Sequence, residues 1–216
     1  MNLILNLSWI KVVRRLKRVG MTILLTITLG LTAGVGLSAC SNPSEQFQNT
    51  DLTGLDYAKD FALTDHNGKP RTLADFKGKV VVIFFGFTQC PDVCPTTMAE
   101  MSGVMKQLGP DAEKVQVLFV TVDPERDTQA LLAAYVPNFD SRFLGLYGDK
   151  AATDKVAKEF KVFYQKVPGK TPESYTVDHT AGSYVFDQQG RIRLFLRHGQ
   201  AGSAGMITHD LKLLLK

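Results

Sequence analysis

The chain has 216 residues, of which 25 are Lys or Arg and 21 are Asp or Glu, for a formal net charge of +4. Five basic residues and no acidic ones lie in residues 1–39, so residues 40–216 hold 20 basic and 21 acidic side chains. The basic excess belongs to the N-terminal segment, and composition excludes the strongly basic domain that a nucleic-acid partner requires.

The first 40 residues have the pattern of a bacterial export signal. A basic cluster over 11–18 is followed by an apolar run over 21–36 and then by Leu37-Ser38-Ala39-Cys40. This tetrapeptide resembles the lipobox of bacterial lipoproteins, which implies cleavage before Cys40 and a lipid on its sulfur. We therefore expect a signal peptide over 1–39 and a bacterial lipoprotein that is anchored to a membrane outside the cytoplasm. An uncleaved N-terminal anchor is the alternative.

The remaining chain divides into a linker and one domain. Residues 40–56 are mostly polar and predict a flexible, lipidated tether, whereas residues 57–216 alternate strand and helix patterns. The predicted elements are a hairpin (61–64 and 71–73), a short turn (74–77), a strand (79–87), a helix (96–108), a strand (115–122), a helix (128–136), a strand (143–147), a helix (151–160), an edge strand (162–167), a second hairpin (180–186 and 191–197) and a closing helix (203–215). This order predicts an α/β domain with a mixed central sheet and helices on both faces.

Two cysteines, Cys90 and Cys94, lie between the predicted buried strand over 79–87 and the helix that follows it. Unpaired N–H groups at a helix N-terminus favour negative charge, so this position predicts a lowered thiol pKa. Pro95 places Cys94 close to the start of the helix. With Cys40 lipidated, these two thiols form the one remaining pair, and a domain of this size does not need so short a disulfide for stability. Redox chemistry and metal binding both stay open, because thiols four residues apart suit either use.

A two-sulfur metal site usually needs a third ligand, for which the sequence offers four histidines. His66 lies in a predicted surface turn, and His209 lies on the closing helix, where a solvated ring is expected. His198 is a weaker candidate than His179, which precedes a predicted sheet strand and can face the cysteine loop. Three methionines at helical spacing predict core packing rather than thioether ligands; they are Met98, Met101 and Met105.

Three motifs together resemble the Sco/SenC family over about residues 57–216. They are Phe-Gly-Phe-Thr-x-Cys-Pro-Asp-Val-Cys-Pro at 85–95, Val-Asp-Pro-Glu-Arg-Asp-Thr at 122–128 and Val-Asp-His-Thr at 177–180. The resemblance implies a thioredoxin-like fold and one copper ion, Cu(I) or Cu(II), bound by Cys90, Cys94 and His179. It also implies a role in assembling the dinuclear copper centre in subunit II of cytochrome c oxidase, with periplasmic copper donors or thiol reductases as further partners.

Three polar residues within these motifs each allow a structural and a functional interpretation. Asp178 is expected either to orient His179 through a hydrogen bond or only to shape its loop. Arg126 and Asp127 predict a loop salt bridge and a helix cap, and secondarily a docking surface.

A thiol–disulfide oxidoreductase that reduces a partner's cysteines is the main alternative function. A peroxiredoxin is disfavoured, because Thr88 precedes Cys90 by two residues rather than the three of the peroxiredoxin motif.

Overall fold

The computed structural model describes residues 46–171, 174–200 and 202–216. The expected signal peptide, Cys40 and the first residues of the expected tether lie outside these ranges. Within them, no helix has both the length and the apolar character needed to span a bilayer.

A mixed eight-stranded sheet organises the described residues. The strands of the described ranges are β1 (Thr50–Asp51), β2 (Leu63–Asp65), β3 (Pro70–Arg71), β4 (Val80–Gly86), β5 (Val115–Thr121), β6 (Leu144–Tyr147), β7 (Tyr164–Val167), β8 (Thr176–His179), β9 (Ser183–Phe186) and β10 (Ile192–Leu196). The large sheet has the order β1-β10-β9-β4-β5-β6-β2-β3, and β7 pairs only with β8. The β4–β5 and β5–β6 pairs are parallel and the other pairs are antiparallel. The predicted mixed sheet is therefore confirmed.

Strands β4 and β5 form the centre of the core. Every residue of both strands is buried, as their largely apolar sequences predict for strands covered on both faces. They run in register from Val80 opposite Val115 to Gly86 opposite Thr121. The carboxyl ends of the two strands therefore lie side by side, and the cysteine loop leaves the sheet at this edge.

Four α-helices connect or follow the strands in the described residues: α1 (Val93–Leu108), α2 (Gln129–Tyr135), α3 (Lys150–Glu159) and α4 (Ser203–Leu214). Helix α1 packs against α4 and buries Met98, Met101 and Met105, as expected for core residues. It begins at Val93, three residues before the predicted start at 96. Pro95 does not prevent this, because N–H groups in the first helical turn have no acceptor within the helix.

The end of the expected tether is part of the fold. Thr50–Asp51 pair with Phe195 and Leu194 of β10. The backbone N–H groups of Gln48 and Asn49 donate to the buried Asp210 carboxylate at 2.9 and 2.8 Å. The expectation of a flexible segment is thus wrong for residues 48–51. The polar composition of this segment did not reveal the hydrogen-bond partners that β10 and Asp210 of α4 supply.

Strands β7 and β8 form a small hairpin outside the large sheet. The predicted edge strand over 162–167 joins β8 instead of the large sheet, with Tyr164 opposite His179 and Val167 opposite Thr176. The predicted strand over 180–186 is correspondingly shorter, and only Ser183–Phe186 pair in the large sheet. His179 therefore ends a two-stranded hairpin, and the next residues lead the chain back to the sheet.

The first hairpin contains a buried carboxylate whose titration should control acid stability. Burial alone would raise the pKa of Asp65, but N–H donors from Lys69 and Asn67 and the Arg71 guanidinium lower it overall. A lowered pKa in the folded state stabilises the protein above the ordinary carboxyl pKa of about 4, and this contribution is lost as the pH falls through the lowered pKa.

We expect Asp65→Asn to lose about 2 kcal/mol of unfolding free energy at pH 6, because a buried charge-assisted hydrogen bond is lost. The difference from the unsubstituted protein should shrink as the pH falls toward 2. Urea unfolding at several pH values measures both effects. Asp56→Asn, which removes the partner of an exposed Lys59 ion pair, is the control with little expected effect. A deficit for Asp65→Asn that is constant with pH would contradict this prediction.

Candidate metal centre

The two cysteines lie where β4 passes into α1. Cys90 is half-buried in the loop, and Cys94 is fully buried at the second position of the helix. The backbone N–H of Cys94 donates to the sulfur of Cys90 at 3.4 Å. The start of the helix thus brings the two sulfurs together, with Cys90 on the more accessible side.

Gly86, the last residue of β4, provides the space for the Cys94 side chain. A Cβ atom at this position would lie 2.9 Å from the Cys94 sulfur, 2.8 Å from the Phe84 ring and 3.0 Å from the Phe119 ring. These separations are too short for carbon contacts, so a larger residue would displace the sulfur or a packed aromatic ring. The sequence alone gave no reason to single out this glycine.

His179 completes a three-residue cluster. Its Nε2 atom lies 3.6 Å from the Cys94 sulfur, and one ligand atom from each of Cys90, Cys94 and His179 lies within 4.8 Å of the others. Among the described residues this is the one group of three or more potential metal-binding side chains of the types His, Cys, Asp and Glu. The structure therefore brings together all three residues that the resemblance implies as ligands.

The orientation of the His179 ring is set by a backbone carbonyl. Nδ1 lies 3.1 Å from the carbonyl oxygen of Thr180, which can only accept a hydrogen bond. The proton of the neutral ring therefore resides on Nδ1, and Nε2 presents its lone pair to the sulfurs. This is the usual arrangement of a metal-binding histidine, whose second nitrogen donates to a carboxylate or a carbonyl. The Asp178 side chain, expected as a possible partner, is exposed, and the Nδ1 contact goes to Thr180 instead.

Burial is the largest influence on the pKa values of both Cys94 and His179. It raises the pKa of the Cys94 thiol well above its ordinary value, even though the Phe87 backbone N–H acts in the opposite direction. The expectation of a lowered thiol pKa is therefore wrong for Cys94, because burial outweighs the helix N-terminus. Burial lowers the pKa of His179, against smaller opposing effects of Thr180 and Asp178, so its ring is neutral and available as a ligand.

Aromatic rings form the wall of the site. Phe84 and Phe87 each place a ring 6.0 Å from the imidazole of His179, in edge-on arrangements. The Arg126 guanidinium lies 5.8 Å from the Phe87 ring and 3.6 Å from the Tyr175 ring, and it forms a salt bridge with Asp123 at 2.5 Å. The predicted loop salt bridge of Arg126 is thus present within the loop after β5. The same guanidinium donates to the Tyr175 carbonyl at 2.8 Å and so connects this loop to the residue that precedes β8.

Asp127 joins the same loop to the cysteine loop. Its buried carboxylate accepts hydrogen bonds from the Thr88 backbone N–H at 3.0 Å, the Thr88 hydroxyl at 2.6 Å and the Thr121 hydroxyl at 2.6 Å. The predicted helix-capping role is wrong for Asp127, because the Thr128 side chain caps α2 by accepting from the Leu131 N–H. A solvent-facing cap would leave Asp127 exposed, whereas its carboxylate is buried against Thr88 of the cysteine loop and Thr121 at the end of β5.

The other histidines have structural partners. His198 places Nδ1 2.6 Å from Glu100 and Nε2 2.7 Å from the Ser183 hydroxyl, so both ring nitrogens are engaged. His66 was expected on the surface, yet its ring is buried and Nδ1 accepts from the Gly145 N–H at 3.0 Å. The Nδ1 atom of His209 lies 2.9 Å from Asp210.

The donor set has a clear chemical preference. Two thiolates and one neutral imidazole form a soft, low-coordinate group that suits Cu(I) and can also hold Cu(II). The Phe84 and Phe87 rings that flank His179 give this donor set apolar surroundings. The residues present therefore fit copper, and the adjacent sulfurs also permit a reversible disulfide.

The chain is similar to known proteins in sequence and in fold. A family model described as SCO1/SenC matches residues 49–216. The mitochondrial SCO2 homolog of Bos taurus is 40% identical over 155 residues, which are 71% of this chain and 58% of that relative. The chain thus spans little more than half of the bovine protein.

Two solved structures resemble the described fold. The copper-bound structure of Bradyrhizobium japonicum ScoI is 45% identical, has a TM-score of 0.64 and matches 71% of this chain and 96% of its own. The solution structure of apo Sco1 from Thermus thermophilus is 42% identical, has a TM-score of 0.71 and matches 79% and 98%. These similarities confirm the expected thioredoxin-like α/β fold, and with the family model they show that the chain belongs to the SCO1/SenC family.

Proposed function

We propose that this protein binds one copper ion through Cys90, Cys94 and His179. The observation that carries this proposal is the convergence of two sulfurs and one imidazole nitrogen within 4.8 Å. The lone pair of His179 Nε2 faces the sulfurs because Thr180 engages Nδ1. The copper bound to the similar ScoI protein of Bradyrhizobium japonicum supports the choice of metal.

In the cell, this copper serves assembly of the dinuclear centre in subunit II of cytochrome c oxidase. This role is the one that the Sco/SenC resemblance implies, and family membership supports it. The sequence pattern of an export signal and the lipobox-like Cys40 support a location outside the cytoplasm, with a lipid that holds the domain to a membrane. Subunit II, periplasmic copper donors and thiol reductases are the proposed partners.

Copper titration of the reduced protein tests the proposed metal site. We expect a thiolate-to-Cu(II) charge-transfer band in the visible spectrum that saturates at one equivalent and disappears in Cys90→Ser and in Cys94→Ser. Both serine variants remove a soft sulfur ligand that Cu(I) and Cu(II) prefer. A band that survives either substitution, or saturation at a different stoichiometry, would contradict the three-ligand site.

Thiol–disulfide exchange is a second candidate function, and the placement of the two sulfurs favours it. Cys90 is the more accessible thiol, whereas Cys94 is buried directly behind it. In such a pair, the outer thiolate attacks the disulfide of a partner and the inner thiol then displaces the partner from the mixed disulfide. This chemistry would reduce partner cysteines before they receive copper, and it requires no imidazole ligand.

A further inference from the structure

The loop between β5 and α2 contacts both halves of the proposed copper site. It contains the motif at 122–128, to which the proposed function assigns no role. On the cysteine side, the Asp127 carboxylate accepts from the N–H and the hydroxyl of Thr88. On the histidine side, the Arg126 guanidinium donates to the Tyr175 carbonyl at 2.8 Å. A loop in this position can fix the distance between the sulfurs and the imidazole.

The β7–β8 hairpin depends on side-chain contacts for its position. In the part of the chain that the structure describes, its two strands pair only with each other, so no strand pairing attaches them to the large sheet. His179 is the last residue of β8, and Tyr175 immediately precedes this strand. At about 3.3 Å per residue, the two residues lie about 13 Å apart along the strand. A displacement at Tyr175 would therefore be carried along β8 to the proposed ligand.

Three side chains form a clasp between the loop and the hairpin, and they are Asp123, Arg126 and Tyr175. The buried Asp123 carboxylate accepts from Arg126 Nε at 2.5 Å and from the Tyr175 hydroxyl at 2.7 Å. The Arg126 guanidinium also lies 3.6 Å from the centre of the Tyr175 ring, well within cation–π range. Burial and the neighbouring Asp123 raise the pKa of Tyr175 to about 12, so its hydroxyl stays protonated and donates. Each member of the clasp thus contacts both of the others.

Arg126 also reaches His179 through Phe87. The guanidinium lies 5.8 Å from the centre of the Phe87 ring, and this ring lies 6.0 Å from the His179 imidazole. The Phe87 carbonyl accepts from the Cys90 N–H at 3.2 Å, and its side chain is buried. Arg126 therefore lies between the segment that presents the cysteines and the hairpin that presents the histidine.

We propose that Arg126 is a positioning residue that holds His179 against the two cysteines, through its contacts with Tyr175 and Phe87. This inference rests on the proposed copper site and gives the motif at 122–128 a role in it. A guanidinium suits the task because it donates hydrogen bonds in fixed directions and stacks on aromatic rings, whereas a lysine ammonium is a compact point charge. An ion pair of Glu125 with Lys166 joins the same two segments, but both side chains are exposed and such pairs contribute little.

Arg126→Gln tests the inference in a double-mutant cycle with His179→Ala. When His179 is present, we expect Arg126→Gln to lower Cu(II) affinity by about 10–100-fold, as for other residues that orient a metal ligand. In the His179→Ala background it should cause no further loss, since no imidazole remains to be positioned. Competition with a chelator of known Cu(II) affinity measures all four proteins. Equal losses in both backgrounds would show that Arg126 acts on the fold as a whole, and would overturn the inference.

The metal-free protein provides a second readout that does not involve copper. The wild type should show a nuclear Overhauser effect between the His179 and Phe87 rings, whose centres lie 6.0 Å apart, and Arg126→Gln should weaken it. An effect of wild-type intensity in Arg126→Gln would overturn the inference. An absent copper band in the wild type would instead overturn the proposed copper site, and the ring contact would still report whether Arg126 positions His179.

Tyr175→Phe is a milder second variant, because it removes only the hydroxyl that donates to Asp123. It should change the ring contact and the Cu(II) affinity in the same direction as Arg126→Gln, by a smaller factor. If Arg126→Gln does not fold, an unchanged ring contact and unchanged Cu(II) affinity in Tyr175→Phe would overturn the inference.

Arg142→Gln is the matched control for loss of an arginine ion pair. Its guanidinium donates to Asp140 and Glu113. These residues precede β6 and β5, so they lie at the amino ends of the parallel strands, opposite the edge at which the cysteine loop leaves the sheet. Arg142→Gln should keep wild-type Cu(II) affinity and the wild-type ring contact. A loss of Cu(II) affinity equal to that of Arg126→Gln would indicate a nonspecific effect and overturn the inference.

Discussion

His179→Ala should weaken Cu(II) binding by more than about a hundredfold, since even the loss of an outer partner of a ligand costs 10–100-fold in metal affinity. The imidazole supplies the one nitrogen in the cluster, and its Nε2 atom lies 3.6 Å from the Cys94 sulfur. Alanine cannot replace this donor, and the exposed Asp178 beside it is not part of the cluster. Copper titration followed by visible absorption measures the loss.

The same variant separates the two candidate functions. Thiol–disulfide exchange needs a thiolate and an accessible disulfide, and Cys90 and Cys94 supply these without His179. We therefore expect His179→Ala to continue to exchange with a small-molecule disulfide after its copper band has been lost. Cellular oxidase activity then reports which chemistry is required. If the variant supports oxidase assembly as well as the wild type, thiol exchange is the main function.

His209→Ala is the matched control for loss of an imidazole. His209 lies on α4 and contacts Asp210 rather than the cysteines. It should bind copper with wild-type affinity. Unchanged copper affinity in His179→Ala would exclude His179 from the site, whereas equal losses in both histidine variants would indicate nonspecific destabilisation.

Gly86→Ala should destabilise the fold and disrupt the metal site together. The added methyl group would lie 2.8–3.0 Å from the Phe84 ring, the Cys94 sulfur and the Phe119 ring. None of the three can move into open space, because all are fully buried. Overpacking of this kind costs about 1–3 kcal/mol. Displacement of the sulfur should also lower copper affinity by at least about tenfold, because metal sites tolerate only small errors in ligand position.

Urea unfolding of the metal-free protein and copper titration measure the two effects of Gly86→Ala separately. Gly103→Ala is the matched control, since Gly103 lies inside α1 and an added Cβ would meet nothing within 4 Å. Alanine in a helix interior is favoured over glycine by about 1 kcal/mol, so this variant should be slightly more stable and bind copper normally. Wild-type stability and copper affinity in Gly86→Ala would show that the strand end adjusts, and that the glycine is not required.

Several features of the fold followed from local sequence patterns. The apolar runs of β4 and β5 predicted buried central strands, and Pro95 placed Cys94 in the first turn of α1. The cysteine motif and the motif around His179 also predicted which side chains converge, through the resemblance that they carry. These predictions succeeded because strand burial, helix starts and family motifs are encoded in short segments of the chain.

Other features depended on contacts between distant segments. Asp178 is adjacent to His179 in sequence, yet the ring is oriented by the carbonyl of Thr180, the residue that follows β8. Asp127 precedes a helix, yet its carboxylate is buried against the cysteine loop and the end of β5. Cys94 lies at a helix N-terminus, yet its surroundings raise its pKa.

The sequence by itself determined the α/β order of elements, the identity of the three converging side chains and the family to which they point. The tertiary structure decided how those side chains are held: the burial of Cys94 against Gly86, and the lone pair of His179 directed at the sulfurs. The physical reason is that protonation and hydrogen bonding depend on the groups surrounding an atom in space. At this site, those groups come from strands and loops that are far apart along the chain.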